Sequence, residues 1–324
     1  MPRPARNRMF EAVTANEGCV TCHRDIAESW QGSLHQRADI EPAYRRAFAL
    51  EPLPFCRACH APEADPMEEE PASVAAIGVA CVTCHVTSEA GVLAAASSAS
   101  QNRPAPHGVV RSARFGTAAA CASCHEFRFP GARGDSPSSF MQTTLSEHAT
   151  SPAASRACAD CHMPRLENGK RSHAFSTSRD HGFLEKSIRI EAARLDDGRV
   201  RLRLEPIDPG HAFPTGDLFR RLELSAEISG VDNMSLGSTS RYLTRHWGFK
   251  PKANGRELIS DDRLFDRAVD VVLELGAGGK GHDIVWRVAY QRVAHPKGID
   301  EASAEIEGEV VLGSGMLHPS EAEK

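Results

Sequence analysis

Cys81-Val82-Thr83-Cys84-His85 is one of five stretches that decide the fold. The others are Cys19-Val20-Thr21-Cys22-His23, Cys56-Arg57-Ala58-Cys59-His60, Cys121-Ala122-Ser123-Cys124-His125 and Cys158-Ala159-Asp160-Cys161-His162. All 10 cysteines of the 324-residue chain fall in these C-x-x-C pairs, and a histidine follows every pair at once. Two thiols three positions apart on a helical turn reach the two vinyl groups of one porphyrin. The next residue then lies under the iron, where an imidazole nitrogen is the proximal ligand. This is the pattern of covalent haem attachment. Structural zinc would take the pairs two at a time, leave one over, and need no histidine after each. A thioredoxin-like motif occurs singly beside a βαβ pattern, which is absent. A disulfide framework has no reason to set every cysteine pair beside a histidine.

The motifs therefore assign five haem c groups, with His23, His60, His85, His125 and His162 as proximal ligands. The first cysteines stand at 19, 56, 81, 121 and 158, so all five motifs lie within residues 1–185. At that density the haems must touch. They replace an aromatic core that is thin in this chain, where Phe, Trp and Tyr make only 6 % of residues. Short helices and loops wrapped on porphyrin faces are expected there.

Composition narrows the class further. Hydrophobic residues at 41 % and charged residues at 25 % exclude a disordered chain. A net charge of −5 argues against nucleic acid as a partner. No apolar run approaches the roughly 18 residues of a transmembrane helix. Met1-Pro2-Arg3-Pro4-Ala5-Arg6 leads into no apolar stretch, so no signal peptide is recognisable. Haem c is nevertheless attached outside the cytoplasm, and that chemistry outweighs the missing leader: a periplasmic or extracellular location is expected.

Of the 15 histidines, ten are not proximal. His35, His107, His148, His173 and His181 lie within or just after the haem region; His211, His246, His282, His295 and His318 follow. Bis-histidine ligation of all five irons is numerically open. His35 follows Trp30 on an expected helix, Asp25–Ala38, placed to reach a neighbouring haem. His173 lies beyond a turn at Asn168-Gly169, His107 sits in the Pro-rich stretch Pro104–Gly108, and His148 ends an expected helix from Ser139. Met163 adjoins its own proximal histidine and cannot reach round, which leaves Met141 as the methionine candidate. The distal candidates rank His35, His173, His107, His211, His181, His148.

Beyond residue 185 the cysteines stop and period-two alternation begins. Val200–Leu204 alternates cleanly, and Leu222-Glu223-Leu224 runs on to Ile228. Leu195-Asp196-Asp197-Gly198-Arg199 reads as an Asp-Gly hairpin. Ala268–Leu275, Asp283–Val293 and Glu305–Leu312 are further strands. The fold class is α+β. Residues 1–185 form a haem-packed, short-helical domain, and residues 186–324 an antiparallel β-sandwich. Gly276–Gly281 matches G-x-G-x-x-G, but a strand follows it where a dinucleotide site needs a helix, so it reads as a loop. The acidic stretch Pro62–Pro71 reads as solvated. Arg220 and Arg221 are candidates to pair haem propionates.

Several flanking motifs carry a resemblance. Trp30-x-x-Ser33-x-His35, Gly78-Val79-Ala80 before Cys81, Phe140-Met141-Gln142-x-Thr144, and Cys161-His162-Met163-Pro164 with His173-Ala174-Phe175 are similar to multihaem cytochromes c. The group is the one containing hydroxylamine oxidoreductases and the tetrahaem cytochrome that takes their electrons. Gly210–Gly216, Gly-His-Ala-Phe-Pro-Thr-Gly, resembles a motif opening the β domain of related bacterial cytochromes. The resemblance covers roughly residues 17–225. It implies His35 and His173 as distal ligands, makes His211 a candidate, and implies a secreted bacterial electron-transfer protein. Every motif ends in His, so the lysine-ligated haem of pentahaem nitrite reductases is not matched.

The expected function is electron transfer through five closely spaced haems, mostly bis-His ligated. Redox proteins, either other cytochromes or a membrane quinol-linked complex, are the expected partners. Two alternatives stand beside it. One is a haem redox enzyme, a reductase or oxidase of small nitrogen or sulfur compounds with one open iron; no catalytic residue is assigned for it. The other is a subunit of an extracellular conductive filament or surface complex, and a homo-oligomer or filament is an open partner state.

Overall fold

The computed structural model describes residues 7–86, 91–96, 106–175, 180–195, 198–230, 232, 234–250, 255–294 and 301–319. Met1–Arg6, Asp196, Asp197 and His295 lie outside them. Contacts divide the chain into two compact units. Residues 1–125 and 156–176 make the first; residues 126–155 and 177–324 make the second.

The first unit is built of short helices: α1 (Phe10–Cys22), α2 (Arg24–Trp30), α3 (Pro42–Leu50), α4 (Pro54–His60), α5 (Ala72–Ile77) and α6 (Cys81–His85). A parallel pair, β1 (Val92–Ala95) and β2 (Val109–Ser112), follows, and then α7 (Ala122–His125). Proline opens α3 and α4, where its missing N–H costs nothing. The buried apolar residues of this unit are mostly small: Ala12, Ala27, Ala43, Ala61, Ala64, Ala75 and Ala80, with Trp30, Tyr44 and Ile77 the largest. So thin a side-chain core fits a unit whose interior is completed by porphyrin.

The second unit takes up the chain at β3 (Glu126–Arg128), β4 (Phe140–Thr143) and α8 (Thr144–Thr150). The first unit then reclaims α9 (Cys158–His162) before α10 (His181–Glu185). The strands β5 (Ile188–Arg194), β6 (Val200–Pro206), β7 (Arg220–Ser229), β8 (Ser235–Leu243), β9 (Arg245–Lys250), β10 (Gly255–Asp261), β11 (Val269–Leu273), β12 (Asp283–Ala294) and β13 (Glu305–Leu317) complete it. Two antiparallel sheets, β11-β6-β5 and β13-β12-β7-β8, share one core, and β9-β10 is a separate hairpin. Alternation puts Val200, Leu202 and Leu204 of β6 inside with Leu222 and Leu224 of β7, all fully buried. Arg203, on the outward face of β6, meets Asp270 of β11 at 3.2 Å. Gly276–Gly281 connects β11 to β12 and leads into a strand, as read from the sequence.

Three local expectations are corrected. The helix expected over Asp25–Ala38 stops at Trp30, and turns carry residues 31–40, with Gly32 at φ 76°. The helix expected from Ser139 begins only at Thr144. Phe140–Thr143, rich in aromatic and β-branched side chains, is a strand paired with β3. The acidic stretch is not a solvated loop throughout. Glu63 is 1 % exposed, and the Glu70 side chain 3 %, because distant arginines pair with both.

Candidate haem sites

All five attachment motifs close or form short helices. Cys19 and Cys22 end α1, Cys56–His60 fill the last turns of α4, and the remaining three motifs make up α6, α7 and α9. Every motif belongs to the first unit. The third is the most firmly clamped. Asn16 Oδ1 accepts from Cys81 N at 3.0 Å, and Arg8 donates to the Val82 carbonyl at 3.0 Å. Arg8 also forms a bidentate pair with buried Glu63, which accepts from Thr83 Oγ1 at 2.7 Å.

The motifs adjoin one another. The thiols of Cys19 and Cys81, of Cys84 and Cys124, and of Cys121 and Cys158 are near enough to raise one another's proton affinity, and burial raises it further.

Three expected distal histidines face proximal ones. The ring centroids of His23 and His107 are 6.4 Å apart, those of His85 and His173 6.2 Å, and those of His125 and His35 6.1 Å. One iron between two imidazoles, at metal–nitrogen distances of about 2 Å, sets ring centres about 6 Å apart. The spacing is too wide for stacking and fits a metal between the rings. His35 carries a second mark. Its Nδ1 is buried with no hydrogen-bond partner among the described residues, and burial pushes its pKa down to about 3, so the ring stays neutral and ligand-competent. His85 and His173 are also held below the usual range, chiefly by burial.

The backbone prepares these rings. Val79 N donates to the His35 carbonyl at 2.8 Å, and Trp30 Nε1 to the Val79 carbonyl at 3.0 Å. Gly78 sits between them at φ 47°; a Cβ there would lie 2.4 Å from the Gln36 carbonyl oxygen and 2.6 Å from that of His35. Nδ1 of His60, His85 and His173 donates to the carbonyls of Ala38, Leu93 and Arg171 at 2.8, 2.8 and 3.0 Å. A protonated Nδ1 leaves Nε2 as the lone-pair nitrogen, the tautomer a metal needs. Tyr44, which no sequence argument singled out, stacks on His60 at 3.8 Å and 5°.

His148 and His211 belong to the second unit and follow the same rule. His148 Nδ1 donates to the Gly210 carbonyl at 2.8 Å and His211 Nδ1 to that of Ala212 at 2.9 Å. Helix α8, which carries His148, is fixed by a buried Glu147–Arg263 pair at 2.8 Å. Thr143 and Thr215 hydroxyls also donate to Glu147, and Arg263 donates to Asp261 and the Pro214 carbonyl. His181 differs. It is exposed on α10, with Nε2 at 3.1 Å from the Val311 carbonyl and Nδ1 at 3.3 Å from Glu185. Met141 offers its carbonyl to Arg245. Arg221 is not an exposed strand arginine: it is buried, donates to Gln291 and the Glu301 carbonyl, and covers the Tyr242 ring.

Comparison with known proteins bears on the class of the chain. Residues 18–86 match the family described as cytochrome c554 and c-prime, and residues 65–174 match outer membrane cytochrome MtrC/MtrF-like, domains II/IV. A penta-heme cytochrome c552 from Thermochromatium tepidum aligns over 98 % of this chain and 100 % of its own, at TM-score 0.69 and 18 % identity. MtrC from Shewanella baltica aligns over 65 % of this chain and 33 % of its own, at 11 % identity and TM-score 0.21, which supports no shared fold. No curated protein matches. The fold and the motifs define an α+β haem protein of the c type. More narrowly, the chain is a multihaem cytochrome c with five haem c attachment sites.

Proposed function

We propose that the chain carries electrons through five haem c groups, most of them held between two histidines. The ring spacing of three histidine pairs is the observation that carries this reading. In it His107, His173 and His35 are the distal ligands opposite His23, His85 and His125. Haem supplies one-electron iron chemistry at potentials that its axial ligands set. The chain's own residues do the rest. Backbone carbonyls fix the imidazole tautomers. Burial keeps His35, His85 and His173 neutral. An iron held between two imidazoles would have no place left for substrate, which favours a carrier over an enzyme.

Haem attachment and the cytochrome families matched support an exported protein, periplasmic or extracellular, that meets redox proteins such as other cytochromes or a quinol-linked membrane complex. No helix among the described residues is long and apolar enough to cross a membrane. The match to MtrC/MtrF-like domains favours a second reading, a subunit of an extracellular surface complex, in which assembly of the purified protein into oligomers or filaments would be observed.

A redox titration tests the ligand scheme. His107→Met and His35→Met should each raise one of the five potentials by on the order of 0.1 V, because thioether ligation favours the ferrous state. The other four should hardly move. An unchanged titration in both variants would contradict the scheme.

A further inference from the structure

The second motif has neighbours that the electron path alone does not use. Asp39 is fully buried, and the Glu70 side chain is 3 % exposed. Arg45 Nη2 bridges them, 2.8 Å from Asp39 Oδ2 and 2.6 Å from Glu70 Oε1, and Arg57 Nη2 lies 2.8 Å from Glu70 Oε2. Arg57 is inside the motif, between Cys56 and Cys59. The shared Arg45 nitrogen holds the two buried carboxyls close together. Two carboxylates so close and so buried favour a proton on one of them. Asp39 Oδ1 has no hydrogen-bond partner among the described residues, and neither has the buried Tyr44 hydroxyl. The cluster reaches the proximal ligand through Tyr44, whose ring stacks on His60, and through the chain itself, since the Ala38 carbonyl accepts from His60 Nδ1.

We propose that Asp39 and Glu70 form a proton-binding site coupled to the second haem: an electron arriving at the haem held by His60 is accompanied by a proton taken up on this carboxyl pair. This rests on the electron-carrier reading. A redox partner delivers the electron and water delivers the proton. One O–H bond forms on a carboxylate oxygen, and oxidation reverses both steps. The driving force is Coulombic, because added negative charge nearby raises carboxyl proton affinity. The groups facing the pair are Tyr44 and Arg45 from α3, with Cys56 close to Tyr44, and Arg57 from α4. The arginines favour the ionised form, while burial and the Glu70 charge oppose it more strongly at Asp39, whose pKa is pushed up to about 7. The partly exposed Arg45 side chain gives the pair an edge near solvent.

The test is a redox titration of the haem-loaded protein between about pH 7 and pH 9, above the pH at which the oxidised pair loses its proton. One component of the five should fall by about 59 mV per pH unit, the one-electron, one-proton slope. Asp39→Asn and Glu70→Gln should each flatten that component, and Asp25→Asn, an exposed carboxylate in the same unit, should not. Arg57→Gln, a cation lost inside the second motif, should lower the same component and no other. If the slope is absent, survives both pair variants, or belongs to a component that Arg57→Gln leaves in place, the proposal is overturned while the carrier reading stands. If no component titrates reversibly, the carrier reading itself fails. Should the pair variants not mature, proton uptake on reducing the native protein at about pH 8.5, where the oxidised pair is ionised, decides. Close to one proton per molecule supports the site, and none overturns it.

Discussion

Gly78 shows how one residue governs a distant ligand. Its left-handed backbone lets the Gly-Val-Ala segment before Cys81 press on the turn that holds His35, and there is no room for even a methyl group. Gly78→Ala should displace that turn, loosen His35, and turn the low-spin spectrum of one haem high-spin. An unaltered spectrum in a fully loaded Gly78→Ala protein would show that the close approach does not position His35. The proposed proximal residues are legible in the sequence because covalent attachment needs five adjacent positions. The proposed distal partners are legible only as candidates. Their pairing joins residues 23 with 107, 85 with 173 and 35 with 125, and no local pattern encodes such separations. The same distance hid Glu63 and Glu70, whose arginine partners at positions 8 and 45 convert an acidic stretch into buried ion pairs.

At the scale of elements, alternation in β6 and β7 was readable because one face of each is buried more deeply than the other. Strand β8, Ser-Leu-Gly-Ser-Thr-Ser-Arg-Tyr-Leu, is an edge strand and too polar to alternate, so it escaped notice. The sequence also sets the domain boundary at 185, where haem motifs end, whereas the contacts group residues 126–155 with the strands. His246 ties the hairpin to the β12–β13 connection. Its ring lies between Asp262, 2.9 Å from Nε2, and Glu301, and hydrogen bonds to the two carboxylates raise its pKa to about 10. A raised basic pKa stabilises the fold fully below the unfolded value near 6.5, and that stability is lost as pH rises through about 10. Thermal melts should therefore show the Tm falling between pH 7 and pH 10 more steeply in the native protein than in His246→Gln. Parallel pH profiles would count against the His246 clamp.

Across the whole molecule, two kinds of interior coexist in one chain. The strands of the second unit enclose an ordinary hydrocarbon core of Leu, Val and Ile. The first unit buries alanines around paired histidines and leaves its volume to porphyrin. The account turns on whether those imidazole pairs hold iron. Low-temperature EPR of the oxidised, fully loaded protein measures this directly, since an iron between two histidines is low-spin. The account predicts low-spin ferric signals that integrate to at least three of the five haems, one for each histidine pair. Low-spin signals from fewer than three, with the balance high-spin, would contradict it.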